Sequence, residues 1–349
     1  MRSLLVAAVI ALTVSPAFAA DGKTALDVHA HLACLPRPGS DCYVSPAMFH
    51  SYKYRFYLHF VGFTEGELRE RGDGIVADYI SAEVARSSTT AKAVVLAMDG
   101  AVKDGVLDKD ATEVYVPNEF AAAEVARHPN LLLGASVNPH RKDALARLKW
   151  AKEHGAVLIK WIPSIMDVDP ADPALEPFYR RLVAYKLPLL VHTGAEHTFT
   201  HAKDEYCDPV RLELPLKLGV TVIAAHVAST GSFEGQSAFE RLLPLFKKYK
   251  TLYADISSTT QFNRIGFLKK ALAREELRGR LLYGTDWPLQ KFPIVWPGYQ
   301  LGRLSPRTIS RVSRIPNVWD RDVALKKALG VPDEVFAAGW AVLGLSAPK

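Results

Sequence analysis

The chain has 349 residues, 49% of them hydrophobic and 23% charged, with 22 Gly and 22 Pro. These proportions provide for a packed core and exclude a disordered chain, a collagen or a coiled coil as a description of the whole. The net charge of +6 comes from 43 Lys and Arg against 37 Asp and Glu. The bases are scattered, and the densest run (Lys247, Lys248, Lys250) falls at an expected helix end, where cations suit the helix dipole, so we expect no nucleic-acid partner.

Residues 1–19 read as a secretory signal peptide. Arg2 gives the positive start, residues 4–14 an apolar stretch, and Ala17, Phe18 and Ala19 a cleavage site. The apolar stretch is shorter than the ~20 residues a spanning helix needs, and no second one follows, so we expect no stable membrane anchor. The expected mature protein is a single domain over residues 20–349, exported to the periplasm or secreted. Export places the three cysteines in an oxidising compartment. Cys34 and Cys42 close a short loop and are the expected disulfide; Cys207 is left as a buried thiol, with a catalytic thiol as the sharper alternative.

Eight short apolar runs follow, at residues 25–31, 93–98, 131–137, 156–161, 188–192, 220–226, 252–256 and 281–286. From the third onward they recur about every 30 residues, the length of a strand, a helix and two turns. Several are apolar at every position, as strands of a parallel sheet covered on both faces must be. Helical signals lie between them. Leu145, Leu148 and Ala151 stand at helical spacing before Gly155; Asp208 and Pro209 resemble an N-cap and first-turn proline, with Gly219 at the far end; Phe239, Leu242, Leu243 and Phe246 form an apolar stripe. The pattern predicts an α/β fold, a (β/α)8 TIM barrel, with a helical insertion after the first strand in the aromatic-rich segment 32–90. A doubly wound open sheet is the alternative, but the Gly-rich turn that would mark it is missing.

The residues that close the strands carry the chemistry. Asp27, His29 and His31 stand at i, i+2 and i+4 in the first run, so in a regular strand all three point into the barrel. His192 ends the fifth run, His226 the sixth and Asp286 the eighth, all at the C-terminal mouth where barrel enzymes build their sites. Imidazoles mixed with a carboxylate suit Zn²⁺ or a neighbouring divalent ion better than Ca²⁺ or Mg²⁺.

Asp27-x-His29-x-His31, then His192 and His226 on successive strands, then Gly284-x-Asp286-Trp287-Pro288 resemble the amidohydrolase superfamily. The similar branch holds metal-dependent hydrolases and also decarboxylases such as aminocarboxymuconate-semialdehyde decarboxylase. The resemblance runs from about Ala25 to Phe336 and is specific for fold and metal, not for substrate. It implies that His29, His31, His192 and Asp286 hold one divalent ion, with Zn²⁺ as the expected metal. It further implies that Asp286 moves a proton and that His226 faces the reacting group as an oxyanion donor. Lys160 ends the fourth run; we read it as a substrate-binding ammonium, while the resemblance leaves open a binuclear site bridged by a carboxylated Lys160. Weaker substrate-binding candidates are Trp161, His197, His201, Arg264 and Trp287, which together would suit a planar or carboxylate-bearing molecule. Glu196, four residues after His192, is a candidate support for it.

The first functional reading is therefore a metal-dependent hydrolase of a small-molecule amide, lactone or ester. The alternatives are a metal-dependent non-oxidative decarboxylase and an exported metal-binding protein without turnover. Serine-hydrolase chemistry has no Gly-x-Ser-x-Gly to support it. The expected partner is a small-molecule substrate, and a homo-oligomer stays open.

Overall fold

The computed structural model describes residues 22–199 and 202–348; the expected signal peptide at 1–19 and His201 lie outside the described residues. Eight strands, β1 (Ala25–His31), β2 (Thr90–Leu96), β3 (Leu131–Ala135), β4 (Leu158–Trp161), β5 (Leu189–Val191), β6 (Val222–Ala224), β7 (Leu252–Asp255) and β8 (Leu281–Leu282), pair in parallel in chain order. The ring closes through backbone bonds between the first strand and the segment after the last. Val28 N–H donates to the Tyr283 carbonyl (3.0 Å), Asp286 N–H to His29 (2.7 Å) and His31 N–H to Trp287 (2.9 Å). The expected (β/α)8 barrel is what forms.

The helices used below are α1 (Tyr52–Val61), α2 (Gly74–Arg86), α3 (Asn118–Arg127), α4 (Ala144–Glu153), α5 (Glu176–Tyr185), α6 (Ala238–Lys248), α7 (Val318–Ala328) and α8 (Asp333–Val342). The sequence specifies α6 well. The Ser237 side chain accepts from the Glu240 N–H at its start, Lys247 and Lys248 sit in its last turn, and Phe239, Leu242, Leu243 and Phe246 are buried. Helices α3, α4 and α5 follow β2, β3 and β4 in the same alternation.

The core has two layers, which explains the unbroken apolar runs. Leu26, Val28, Val94, Leu96, Leu158, Leu190, Ile223 and Leu282 fill the barrel interior. Their neighbours, such as Ala93, Val95, Ile159, Leu189, Val222 and Ala254, pack under the helices. Trp340 and Leu343 join the interior cluster from α8, closing the end where the strands begin. At Gly339 a Cβ would stand 2.8 Å from Val28 Cγ1, so the close approach of α8 depends on the missing side chain.

Two local features place the site. Segment 32–89 carries α2 as the barrel's own first helix and, before it, three further helices at 46–50, 52–61 and 65–71; α1 lays Tyr57, Leu58 and Val61 along a cavity at the barrel mouth. A disulfide joins Cys34 and Cys42 at the start of this insertion. The second feature corrects the reading of β1. Asp27 pairs with Ala93 and Ala30 with Val95, three steps against two, so a β-bulge at Val28 and His29 turns the strand over. Asp27 therefore does not share a side with the two histidines. It faces out, accepting from Trp319 Nε1 of α7 (2.8 Å) and from the Thr285 N–H (2.9 Å) and hydroxyl (2.5 Å).

Candidate metal centre

His29 is fixed from behind. Its Nδ1 lies 2.9 Å from Asp255 Oδ2 at the end of β7. Asp255 Oδ1 accepts from the N–H groups of His226 (3.1 Å) and Ser257 (2.9 Å) and from the Ser257 hydroxyl. Burial alone would raise the Asp255 carboxyl, but His29, His226 and Ser257 together hold it well below the usual carboxylate range. Nδ1 of His29 is then the donor, and Nε2 presents its lone pair to the interior. Burial, reinforced by Lys160, lowers the His29 pKa to about 4, so the ring is neutral at physiological pH.

Three ligand atoms converge. His29 Nε2 and His31 Nε2 are 3.2 Å apart, and Asp286 Oδ1 lies 3.5 Å from the first and 3.2 Å from the second. A tetrahedral ion with bonds of about 2.0–2.1 Å separates its ligands by roughly 3.3–3.4 Å, so this triangle fits one face of such a shell. Burial opposes ionisation of Asp286, yet His226, His29 and His31 hold its pKa well below the carboxylate range. A neutral His29 imidazole beside the ionised Asp286 carboxylate offers the protonation states a divalent cation requires of its ligands.

The backbone that presents these groups is strained. Asp286 (φ 62°), His226 (φ 58°), Val227 (φ 50°), Ala228 (φ 49°) and Ser258 (φ 59°) all occupy the left-handed region beyond the ends of β6, β7 and β8. Such conformations cost on the order of 1–3 kcal/mol each and persist where surroundings over-determine them. Here the Asp286 N–H is bound to His29 O and the Ser258 hydroxyl donates to Asp286 Oδ2. Gly284 permits the crowding: a Cβ there would meet His29 Cβ at 3.0 Å and Ser257 Cβ at 3.2 Å.

The other expected residues surround the triangle. His192 stands outside it, its ring centroid 5.1 Å from that of His226; its Nδ1 lies 3.4 Å from Glu196 Oε2, and its Nε2 is buried without a partner among the described residues. An orphaned buried imidazole nitrogen beside three converging ligands fits a fourth ligand. Lys160 Nζ reaches His29 Nε2 at 3.1 Å, which places the lysine beside the triangle at the cavity floor; burial lowers its pKa. His226 Nδ1 lies 2.8 Å from Ser257 Oγ and 3.8 Å from Asp286 Oδ2. Ser257 has one proton and gives it to Asp255, so His226 Nδ1 donates to Ser257 and Nε2 carries the lone pair. The oxyanion-donor role expected for His226 therefore requires a proton on Nε2.

The amidohydrolase family signature matches residues 26–312. The chain belongs to the amidohydrolase family. Comparison with curated proteins gives no significant match. Similar solved structures include an uncharacterized TIM-barrel protein from Bordetella bronchiseptica (TM-score 0.51, 14% identity, 87% of this chain and 99% of that one). IDCase of Metarhizium anisopliae in its apo form gives TM-score 0.51 at 13% identity, over 92% and 97%. A Pseudomonas putida protein, provisionally described as 2-pyrone-4,6-dicarboxylic acid hydrolase, gives 0.50 at 17%, over 92% and 98%. At these identities they show a shared fold. Members of the family are typically metal-dependent, and the His29, His31, Asp286 group is one of the candidate donor groups among the described residues of this amidohydrolase.

A cavity of about 500 Å³ opens over the triangle, lined by His31, Lys160, His192, His226 and Asp286 at its floor and by residues of α1 and the loops above. Trp287, His197 and Arg264 line it as expected, His197 from an exposed position. Trp161 does not: it is fully buried on the outer face of β4, its Nε1 donating to Val137 O (2.8 Å) and its ring 5.3 Å from Phe178 of α5. With Lys160 facing in, the next residue of a strand must face out, and Trp161 is thus removed from the substrate contacts. Sequence reasoning passed over Asp255, Ser257, Ser258 and Tyr57. Asp255 had a visible signal, a carboxylate ending the seventh apolar run; Tyr57 had none beyond its aromatic-rich surroundings.

Proposed function

We propose that this amidohydrolase is a metal-dependent hydrolase of a small-molecule amide, lactone or ester, with one Zn²⁺ held by His29, His31, Asp286 and His192. The observation that carries the reading is the triangle of ligand atoms with 3.2–3.5 Å edges, at the floor of a cavity large enough for a small molecule. A bound divalent ion would supply an activated water and polarise the scissile carbonyl. The chain's own groups do the rest. Asp286, ionised and with Oδ2 held by Ser258, accepts the proton of the attacking water and returns it to the leaving atom. His226 receives or orients a proton at Nε2 and, once protonated, donates to a developing oxyanion. Asp255 holds His29 in one tautomer, and Tyr57 and Phe199 contribute apolar wall to the cavity.

The apolar cavity wall favours a second reading on the same residues, non-oxidative decarboxylation, because stripping water from a carboxylate raises its ground-state energy relative to charge-dispersed CO₂ loss. Elemental analysis of the purified protein, followed by a screen of lactones, amides, esters and aromatic carboxylates, separates the two. Hydrolysis products without CO₂ support the first reading; CO₂ release from an acid supports the second; a chain without a divalent ion overturns both. We also propose export with removal of residues 1–19, which fits the Cys34–Cys42 bridge. Intact-mass analysis of the exported protein tests this, and a soluble form retaining Met1 would refute it.

A further inference from the structure

Arg264 ends a single 3₁₀ turn, Phe262–Arg264, beyond β7, and lines the cavity that also holds His226 and Asp286. Its Nε and Nη1 are buried and have no acceptor among the described residues. Two other largely buried guanidinium groups are paired: Arg141 meets both oxygens of Asp99 (2.5 and 2.7 Å), and Arg241 both of Asp208 (2.7 and 2.9 Å). A desolvated charge without a partner is costly, and at Arg264 only the through-space charges of Asp286, Glu196 and Asp255, with no hydrogen bond from Nε or Nη1 among the described residues, oppose the burial. Of the other cations lining the cavity, Lys160 lies at the ligand triangle itself, 3.1 Å from His29 Nε2, and Lys53 donates to the His197 and Phe199 carbonyls, so Arg264 is the one without a partner among the described residues. The cavity around it is lined by Leu32, Phe63, Met98, Phe199 and Ile294, apolar side chains that bind hydrocarbon rather than a heavily hydrated dianion.

We propose that Arg264 receives a carboxylate carried by the substrate, whose apolar body fills the cavity between Arg264 and the ligand triangle. The substrate class is then an organic monoacid bearing the labile amide, ester or lactone, or the acid itself in the decarboxylase reading. The inference rests on the cavity being the substrate site.

The test measures binding, not turnover. Calorimetry is run with 3-phenylpropionate and its uncharged amide, on the zinc-loaded full chain and on the same chain treated with EDTA. We expect the acid to bind at least about tenfold more tightly than the amide in both preparations, the scale of one charge-assisted contact. Arg264→Gln should erase that preference with metal content unchanged, and Arg264→Lys should retain part of it. Without probe, Arg264→Gln should melt at a higher temperature than the parent chain, because an unpaired buried charge is gone; an arginine with a purely structural role would give a lower one. Equal binding of acid and amide, no binding of the acid at millimolar concentration, or a preference that survives in Arg264→Gln overturns the proposal. A preference that vanishes with EDTA places the carboxylate on the metal and overturns it too. Failure of the hydrolase reading shows separately, as a chain without metal, and leaves the EDTA arm to decide Arg264.

Discussion

Asp27 and His29 lie two residues apart on β1 and face opposite sides of it, Asp27 outward to Trp319 and His29 inward to Lys160. The bulge that turns the strand is held by Asp27 itself, which accepts from the His29 N–H (3.0 Å) as well as from Thr285 and Trp319. One carboxylate thereby ties the strand bearing two ligands to the segment bearing the third.

Asp27→Ala should consequently disturb both stability and the metal centre. It leaves the Trp319 indole N–H and the backbone N–H groups of Thr285 and His29 buried without an acceptor, and each such group costs on the order of 1–3 kcal/mol. We expect a loss of about 3 kcal/mol in urea denaturation and weaker retention of the ion during dialysis. A variant as stable as the parent would show that Asp27 does not hold the bulge.

Asp255→Asn addresses the acceptor behind His29. The amide oxygen can still accept from Nδ1, but the charge that fixes the tautomer is lost, and the amide nitrogen then meets the His226 and Ser257 donors that Oδ1 now accepts. Replacing a partner of this kind typically costs 10- to 100-fold in metal affinity, which competition with a chelating dye will measure, and the donors left unpaired should lower the thermal melt as well. An unchanged affinity would remove Asp255 from the centre.

The candidate site residues were legible because each polar residue stands at or near the end of an apolar run, and only a strand end at the barrel mouth makes that placement useful: His29, His31, His192, His226 and Asp286 all stood out this way. Asp255 ends its run in the same manner and could have been read. The bulge could not, since Asp27, His29 and His31 alternate as in a regular strand and only the pairing with Ala93 and Val95 exposes the extra residue. Trp161 was misplaced against a rule already in hand, that neighbours on a strand face opposite ways. The unpaired state of Arg264 lies beyond any sequence pattern, because it depends on which acids fail to reach it.

Cys207 is a buried thiol. Burial pushes its pKa from 9.0 up to about 12, against a smaller opposing effect of hydrogen bonds with Ser164. The thiolate is the reactive form, so native Cys207 should resist iodoacetamide at neutral pH and react once urea unfolds the chain. The linkage has a definite sign. Between 9.0 and about 12 the folded state binds more protons than the unfolded one, so this group's contribution is complete below pH 9.0 and is lost as pH rises towards 12. Rapid labelling of the folded protein would restore the catalytic alternative for this residue.

The last prediction separates holding the ion from using it. His192 presents a buried Nε2 with no partner among the described residues, and its other nitrogen is only loosely engaged by Glu196, so its proposed purpose is coordination. His226 is held at Nδ1 by Ser257 and stands 3.8 Å from Asp286 Oδ2. His192→Ala should therefore release the ion and, with it, all activity. His226→Ala should keep the ion and lose a proton-handling group, which typically costs about 10² to 10⁴ in kcat, with KM nearly unchanged because the cavity wall and Arg264 remain. Once a substrate is found, metal content, kcat and KM are to be measured on both variants. If His226→Ala loses its ion as readily as His192→Ala, then His226 is a ligand and Lys160, already against His29 Nε2, becomes the natural bridge to a second ion. The one-ion assignment would then give way to the binuclear one.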